Sequence, residues 1–329
     1  MWSVCPRTFD AAAVCKCNTN DLHQHTMMFI HEANAILQKH HGKVVETLEV
    51  RVGFSDSSLL VHHINNWVDF AVVSRTKNLT LDLKPKRLWR NINNDHYVLP
   101  LEQLDSGSIS RLEHMQLSYV SLKPPSHFKG FPNLRKLHIQ LLLVSRKDLE
   151  HMLSHCSNLA WLHIDRCNLY DHLIVGSPLS NLLYLHIEHC ELTSIKFHAV
   201  NLATFEYEGR FIPIDLTPSL KLHSVNIEFG EAVFQHAVMS LLNGLPIVVQ
   251  NLTLRVWRTH LEEAKKSEFY SALEKDLDEL LDLGYKDGTA CREAPIFDDY
   301  NSDSDTEAEP YLGGQGLVIT STPKGRFVY

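Results

Sequence analysis

Long apolar runs are missing from this 329-residue chain; stretches such as Leu141-Leu142-Leu143-Val144 last only a few residues, whereas a bilayer-spanning helix needs about 20. No membrane-crossing helix is therefore expected. Met1 to Lys16, interrupted by Cys5, Pro6, Arg7 and Asp10, also lacks the apolar stretch of a secretory signal, which points to the cytosol or nucleus. Disulfide-framework spacing is absent too: seven cysteines form an odd set, as expected of reduced thiols in a reducing compartment. The sequons Asn78-Leu79-Thr80 and Asn251-Leu252-Thr253 fall in segments with strand patterning and are read as coincidental. No contiguous basic run is present to follow a phosphate backbone, so nucleic acid is not an expected partner. Gly-x-x-x-x-Gly-Lys, His-Glu-x-x-His and Gly-x-Ser-x-Gly are all missing, so no enzymatic mechanism and no cofactor are expected.

What the chain does contain is a repeat. Leu-x-x-Leu-x-Leu-x-x-Cys-x-Leu occurs at Leu159, Leu162, Ile164, Cys167, Leu169 and again at Leu182, Leu185, Ile187, Cys190, Leu192. Looser copies start at Leu112, Leu134, Leu202 and Leu222, with successive offsets of 22, 25, 23, 20 and 20 residues, within the roughly 20–29 of a leucine-rich repeat. Each unit supplies one short strand whose alternate residues point inward, and a lone strand cannot bury that face; stacked copies can. The predicted architecture is an α/β leucine-rich-repeat solenoid, a curved parallel sheet with helices and irregular connections on the convex side. Cys167 and Cys190, small enough to sit inside the turn, are read as structural.

The flanks extend the array. Val45 to Val50, Thr76 to Leu83 and Val249 to Leu254 alternate like strands. Leu60, Ile64, Trp67, Val68 and Ala71 share a helical face, as do Val233, Phe234, Ala237, Val238, Leu241 and Leu242. Ser145-Arg146-Lys147-Asp148 has the capping-box pattern of a helix that offers Leu149, Met152 and Leu153 to the core. The expected organisation is a disordered segment 1–28, the repeat domain 29–258, an acidic helix within 259–290 that caps the array, and a disordered acidic tail 291–329.

Aligned units predict columns of side chains on the concave face. The third position reads His114, Lys136, Trp161, Tyr184, Thr204, Ser224; the fifth reads Gln116, His138, His163, His186, Glu206, Asn226; the seventh reads Ser118, Gln140, Asp165, Glu188, Glu208, Glu228. One reading is a partner site: the aromatic pair Trp161 and Tyr184 beside the histidines His138, His163 and His186, with a rim of Asp165, Glu188, Glu208 and Glu228 that selects a basic or cationic segment. The other is a polar face that merely meets water. Three histidines in one column raise zinc ligation, but they arise from a repeated Leu-His-Ile tripeptide and a ladder need not converge on one tetrahedral point, so no metal is expected. Stacked histidines would instead make binding pH-sensitive near about 6.5. Cys15-x-Cys17 with His23-x-His25 matches no structural zinc spacing and is read as part of the disordered segment.

Several stretches resemble the leucine-rich-repeat region of plant F-box proteins, especially the grass members. They are His40-His41-Gly42-Lys43-Val44-Val45-Glu46, the Trp67-Val68 helix followed by Lys77 to Leu83, and the corners Cys156-Ser157-Asn158-Leu159 and Cys190-Glu191-Leu192; the likeness spans about Phe29 to Trp257. The resemblance implies the target-recognition part of a cullin-RING ubiquitin ligase subunit, with an F-box docking on a Skp1-type adaptor. Ahead of Phe29 the Leu-Pro-rich helical pattern of an F-box is absent, so adaptor docking is not expected from these residues. The alternative is a stand-alone repeat scaffold or inhibitor unconnected with ubiquitin.

Charge is concentrated late in the chain. Between Glu262 and Glu309 stand 16 acidic and 5 basic residues, while the whole chain carries -8. Leu261 to Leu283 reads as the acidic helix, with Phe269, Leu273, Leu277, Leu280 and Leu281 on one stripe and Gly284 as its stop. Ser302, Ser304 and Thr306 each have an acidic residue three positions on, a pattern that suits an acidophilic kinase of the casein-kinase-II kind; an unmodified solubilising tail is the other reading.

Overall fold

The structure is a computed structural model that describes residues 7–10, 22–39, 44–53, 58–85, 96–101, 111–128, 130–176, 179–230, 237, 240–241, 243–246, 248–257, 285–291 and 317–323. Its strands, in chain order, are β1 (Arg7–Asp10), β2 (Thr47–Arg51), β3 (Asn78–Asp82), β4 (Tyr97–Val98), β5 (His114–Ser118), β6 (Val120–Ser121), β7 (Lys136–Gln140), β8 (Trp161–Asp165) and β9 (Asp171–Val175). They continue with β10 (Tyr184–Glu188), β11 (Leu192–Phe197), β12 (Thr204–Arg210), β13 (Ile214–Asp215), β14 (Ser224–Gly230), β15 (Asn251–Trp257), β16 (Tyr285–Cys291) and β17 (Leu317–Pro323). The helices are α1 (Leu22–Lys39), α2 (Ser58–Val73) and α3 (Arg146–Ser154).

One sheet runs the length of the array in the order β1-β2-β3-β5-β7-β8-β10-β12-β14-β15-β17-β16. From β1 to β15 every pairing is parallel. The repeat leucines explain this. In β8, Leu162 and Ile164 are fully buried, as are Leu185 and Ile187 in β10, and the leading Leu159 and Leu182 bury with them. Since side chains alternate faces, a slip of one residue would turn each leucine into water. The solenoid predicted from the repeat is thus the observed fold.

Before each strand the chain makes a tight turn that places the leading leucine inward: the Leu159 N–H donates to the Cys156 carbonyl at 3.0 Å and the Leu182 N–H to the Leu179 carbonyl at 3.0 Å. Asparagines just ahead of these leucines tie one turn to the next. Asn158 Nδ2 donates to the Pro132 carbonyl at 2.7 Å, and Asn181 Nδ2 to the Ser157 carbonyl at 2.9 Å. Asn201 makes the equivalent bond to Ser180. This asparagine ladder was missed in the sequence, although Asn-Leu recurs at 158, 181 and 201.

The opposite wall of the core is mixed. β9, β11 and β13 form a second small parallel sheet, and β4 pairs with β6. Leu173, Val175, Ile195, Phe197 and Ile214 face the same core as the main sheet. Helix α3 seals the edge of β9: Ser145 caps it by accepting from the Asp148 N–H, Leu149, Met152 and Leu153 are buried, and Glu150 accepts from the Ile174 N–H at 2.9 Å. At the other end, Leu60, Ile64, Trp67, Val68 and Ala71 of α2 bury as predicted, and α1 packs on them. Phe29 meets Trp67 edge-on at 5.6 Å, and Trp67 Nε1 donates to Asn34 Oδ1 at 2.9 Å. Of the later helical face, Ala237 and Leu241 are buried, and Val233, Phe234, Val238 and Leu242 lie outside the described residues.

Both ends differ from the sequence expectation. Within 1–28, expected to lack order, β1 extends the sheet beside β2 and α1 begins at Leu22. Four residues are too few to show alternation; the unpaired edge of β2 is what recruits them. At the far end, the acidic helix expected at Leu261 to Leu283 lies outside the described residues, as do Ser302, Ser304, Thr306, Cys15 and Cys17. Among the described residues, the edge of β15 is met by β17, which pairs antiparallel with it and with β16. Leu317-Val318-Ile319-Thr320, a β-branched run inside the stretch expected to be disordered, has the composition for that role.

Adjacent leucines test the packing. Leu182 is fully buried and Leu183 is 51% exposed. Leu182→Ala should lower the free energy of unfolding by about 2–5 kcal/mol, and Leu183→Ala should change it by less than about 0.5 kcal/mol, as read by chemical denaturation.

Candidate partner-binding face

The predicted columns are the observed rungs. Lys136, Trp161, Tyr184, Thr204 and Ser224 stand in register, as do His138, His163, His186, Glu206 and Asn226, and then Gln140, Asp165, Glu188, Glu208 and Glu228. All lie on the face of the main sheet opposite the buried leucines.

Trp161 and Tyr184 stack with parallel rings, centroids 5.4 Å apart and planes 2° apart. Lys136 Nζ lies 4.2 Å from the Trp161 ring centroid, a cation–π contact that covers one side of the pair. Burial, then a hydrogen bond to Glu206, raises the Tyr184 hydroxyl pKa. The histidines form a continuous stack: His138 to His163 at 4.4 Å and 4°, His163 to His186 at 4.3 Å and 9°. Two protonated rings so close would repel. Burial, followed by the charge of His163, holds His138 down at about 4, and the same two causes lower His186.

The acidic column is internally paired. Glu188 accepts from His163 Nε2 at 2.9 Å, and this bond is the chief cause that takes its pKa down to about 2. Glu208 meets His189 Nε2 at 3.1 Å; the hydrogen bond raises His189 and lowers Glu208. Glu228 has Arg255 at 3.6 Å, yet burial and then Glu208 keep its pKa raised. Asp165 departs from the expectation of an accessible rim residue. It is 1% exposed, held by Arg166 Nη1 at 2.9 Å and by the Gln140 side-chain amide. Burial is the main cause that raises its pKa. Asp165 thus positions Gln140 and Arg166, and those two carry its polarity to the surface.

The sequence columns missed the partners Arg166 and His189. Both follow the strand directly, in left-handed conformation at φ 48° and 51°, as do Tyr119 at 61° and Leu141 at 50°. Each donates its N–H to the seventh-position carbonyl of the next strand; Arg166 reaches Glu188 at 3.0 Å and His189 reaches Glu208 at 2.8 Å. Position eight, which reads Tyr119, Leu141, Arg166, His189 and Gly209, carries no common residue type that would have marked it.

Cys167 and Cys190 are buried as predicted. Cys167 N–H donates to Cys190 Sγ at 3.4 Å, and Cys190 Sγ lies 3.2 Å from the Glu188 carbonyl. Burial pushes the Cys167 thiol well up, and the Cys156 thiol to about 11, so both stay protonated and serve packing.

In comparisons with known proteins, the family model described as At1g61320/AtMIF1, LRR domain, matches residues 36–273. No curated protein matches the chain. No described helix is long and apolar enough to cross a membrane.

The two depressed pKa values set an acid limb. A group whose folded pKa lies below its unfolded one contributes stability above the unfolded pKa and loses it as pH falls through the folded value. For His138 that window runs from 6.5 down to about 4, and for Glu188 from 4.5 down to about 2. His138→Gln should flatten the stability profile in the upper window and Glu188→Gln in the lower one, measured by urea unfolding at fixed salt; parallel curves for wild type and variants would refute the assignment.

Proposed function

The chain belongs to the At1g61320/AtMIF1 leucine-rich-repeat family, and from that premise we propose that it is a protein-binding module whose partner lies across β7, β8, β10, β12 and β14. The observation that carries this reading is the stacked Trp161–Tyr184 pair, partly exposed on the face of the main sheet opposite the buried leucines. Large rings kept parallel by a rigid sheet lose little freedom on binding, and such residues dominate interface energetics. The reading as scaffold and not enzyme rests on the fold, since solenoids offer extended faces for binding.

A basic or cationic segment is the chemistry we assign to the partner. Lys136 placed over Trp161 supports it, because the ring already accommodates an ammonium group. Glu188, Glu206, Glu208 and Glu228 supply carboxylates on the adjoining columns. An incoming arginine or lysine would exchange with the intramolecular partners His163, His189 and Arg255, so the face discriminates by exchange and not by unbalanced charge.

The finer reading is that this module is the target-recognition part of an F-box subunit of an SCF-type ubiquitin ligase, with a Skp1-type adaptor as second partner. Its support is the likeness of Lys77 to Leu83 and of the Cys156 to Leu159 corner to plant F-box repeats. The competing reading is a stand-alone scaffold or inhibitor. Trp161→Ala combined with Glu188→Lys should abolish target capture from a source extract while leaving the melting temperature within a few degrees of wild type; retained capture places the site elsewhere. Stoichiometric co-purification with a Skp1-type adaptor would favour the ligase reading, and its absence the stand-alone one.

A further inference from the structure

The histidine column and the acidic column come together at one point that neither shows alone. His163, His186 and Glu188 each bring one ligand atom, a ring nitrogen or a carboxylate oxygen, to within 4.8 Å of the others. Glu188 Oε1 lies 2.9 Å from His163 Nε2, and Glu188 Oε2 lies 3.9 Å from His186 Nε2. Ligand atoms about 2.0–2.2 Å from a tetrahedral zinc ion stand roughly 3.3–3.5 Å apart, a spacing that fits inside the 4.8 Å within which the three ligand atoms lie. We propose that His163, His186 and Glu188 form a binding site for a divalent transition-metal ion of the zinc class.

The donor set favours this class. Two imidazoles and one carboxylate suit zinc and its neighbours, whereas calcium and magnesium take oxygen ligands. All three residues project from the paired strands β8 and β10, whose ladder runs Tyr184–Trp161, His186–His163 and Glu188–Asp165. The backbone therefore fixes their spacing in advance. Around them, His138 stacks on His163 and Trp161 meets the edge of the His163 ring at 5.7 Å, which holds that ring; His186, stacked on it at 9° but with Glu206 and not a ring across its other side, turns out of the stack by roughly 70° to aim its in-plane lone pair at the shared ion. The other triplet within reach, Asp165, Glu188 and His189, is the weaker choice, because Arg166 and Gln140 hold Asp165 and Glu208 holds His189.

Binding through Nε2 of His163 requires the tautomer that carries the ring proton on Nδ1, so the hydrogen bond to Glu188 is given up and the freed carboxylate oxygen becomes a ligand. Three protein ligands leave a fourth position open to water or to a donor from outside the chain. The proposal is independent of the partner reading, since its test contains no partner.

The metal-stripped full chain, titrated with zinc chloride against a chromophoric chelator, should bind one tight equivalent. This equivalent should disappear in His186→Ala and in Glu188→Gln and persist in His189→Ala. Cobalt(II) in place of zinc should give the intense visible absorption of a four-coordinate ion in wild type, and Glu188→Gln should lose it. Zinc should also raise the melting temperature of wild type and leave that of Glu188→Gln unchanged. Weak binding by other members of the 21 histidines is common to all variants and cancels. Glu188→Gln, close to isosteric, decides the matter if His186→Ala does not fold. A wild type that binds no tight equivalent, or variants that bind as many as wild type, overturns the site.

Discussion

Parallel pairing in a single register is the constraint on which everything else in this molecule depends. Once Leu162 lies beside Leu185 and Ile164 beside Ile187, every other residue of β8 is delivered to its counterpart in β10, about 4.8 Å away. The core selects the register, and the exposed face inherits it. A repeat that copies Leu-His-Ile for the sake of its leucine and isoleucine therefore also copies its histidine, and a stack of imidazoles follows whether or not anything uses it.

Stacked like residues are harmless when apolar and costly when charged, and the two polar columns meet that difficulty in different ways. Two of the histidines, His138 and His186, are pushed toward the uncharged form by burial and by the charge of His163. The carboxylates stay charged and avoid it by pairing, each with a different kind of neighbour. Glu188 uses a histidine from the preceding strand of the sheet, Glu208 a histidine at the start of a turn, Glu228 an arginine across the strand pair, and Asp165 the arginine that follows it in sequence. Four acidic residues in line thus carry much less net field than their count suggests, and a cationic partner gains only the difference between its own contacts and those it replaces.

What could be read from the sequence divides along the same line. The leucine spacing fixed the register, and with it the Trp161–Tyr184 pair and the three-histidine stack, because those are straight-across neighbours. Contacts made from position eight were not legible: Arg166 on Asp165 and His189 on Glu208 start from residues outside the aligned columns. The burial of Asp165 was hidden for a related reason: it depends on the left-handed backbone of Arg166, which swings a side chain back over the strand end, and an arginine carries no sequence mark of positive φ as a glycine would. The small sheet of β9, β11 and β13 escaped notice because its strands lie in the connections, where Asp171-His172-Leu173-Ile174-Val175 shows no repeat period. The ends were misread where short segments, Arg7–Asp10 and Leu317–Pro323, take their conformation from an exposed sheet edge and not from their own pattern.

The concentration of special features on β8 and β10 has a physical cause. These strands sit mid-sheet, with β7 and β5 on one side and β12 and β14 on the other, so their outer side chains are shielded by neighbours in both directions. Shielding buries Asp165, lowers the pKa values of His138 and His186 and strengthens each hydrogen bond made there. The same residues on an edge strand would be solvated, screened and mobile. A repeat array with uniform chemistry along its length would therefore still develop its most reactive and most selective surface near the middle, and in this chain the aromatic pair and the densest set of imidazole and carboxylate groups stand at that place.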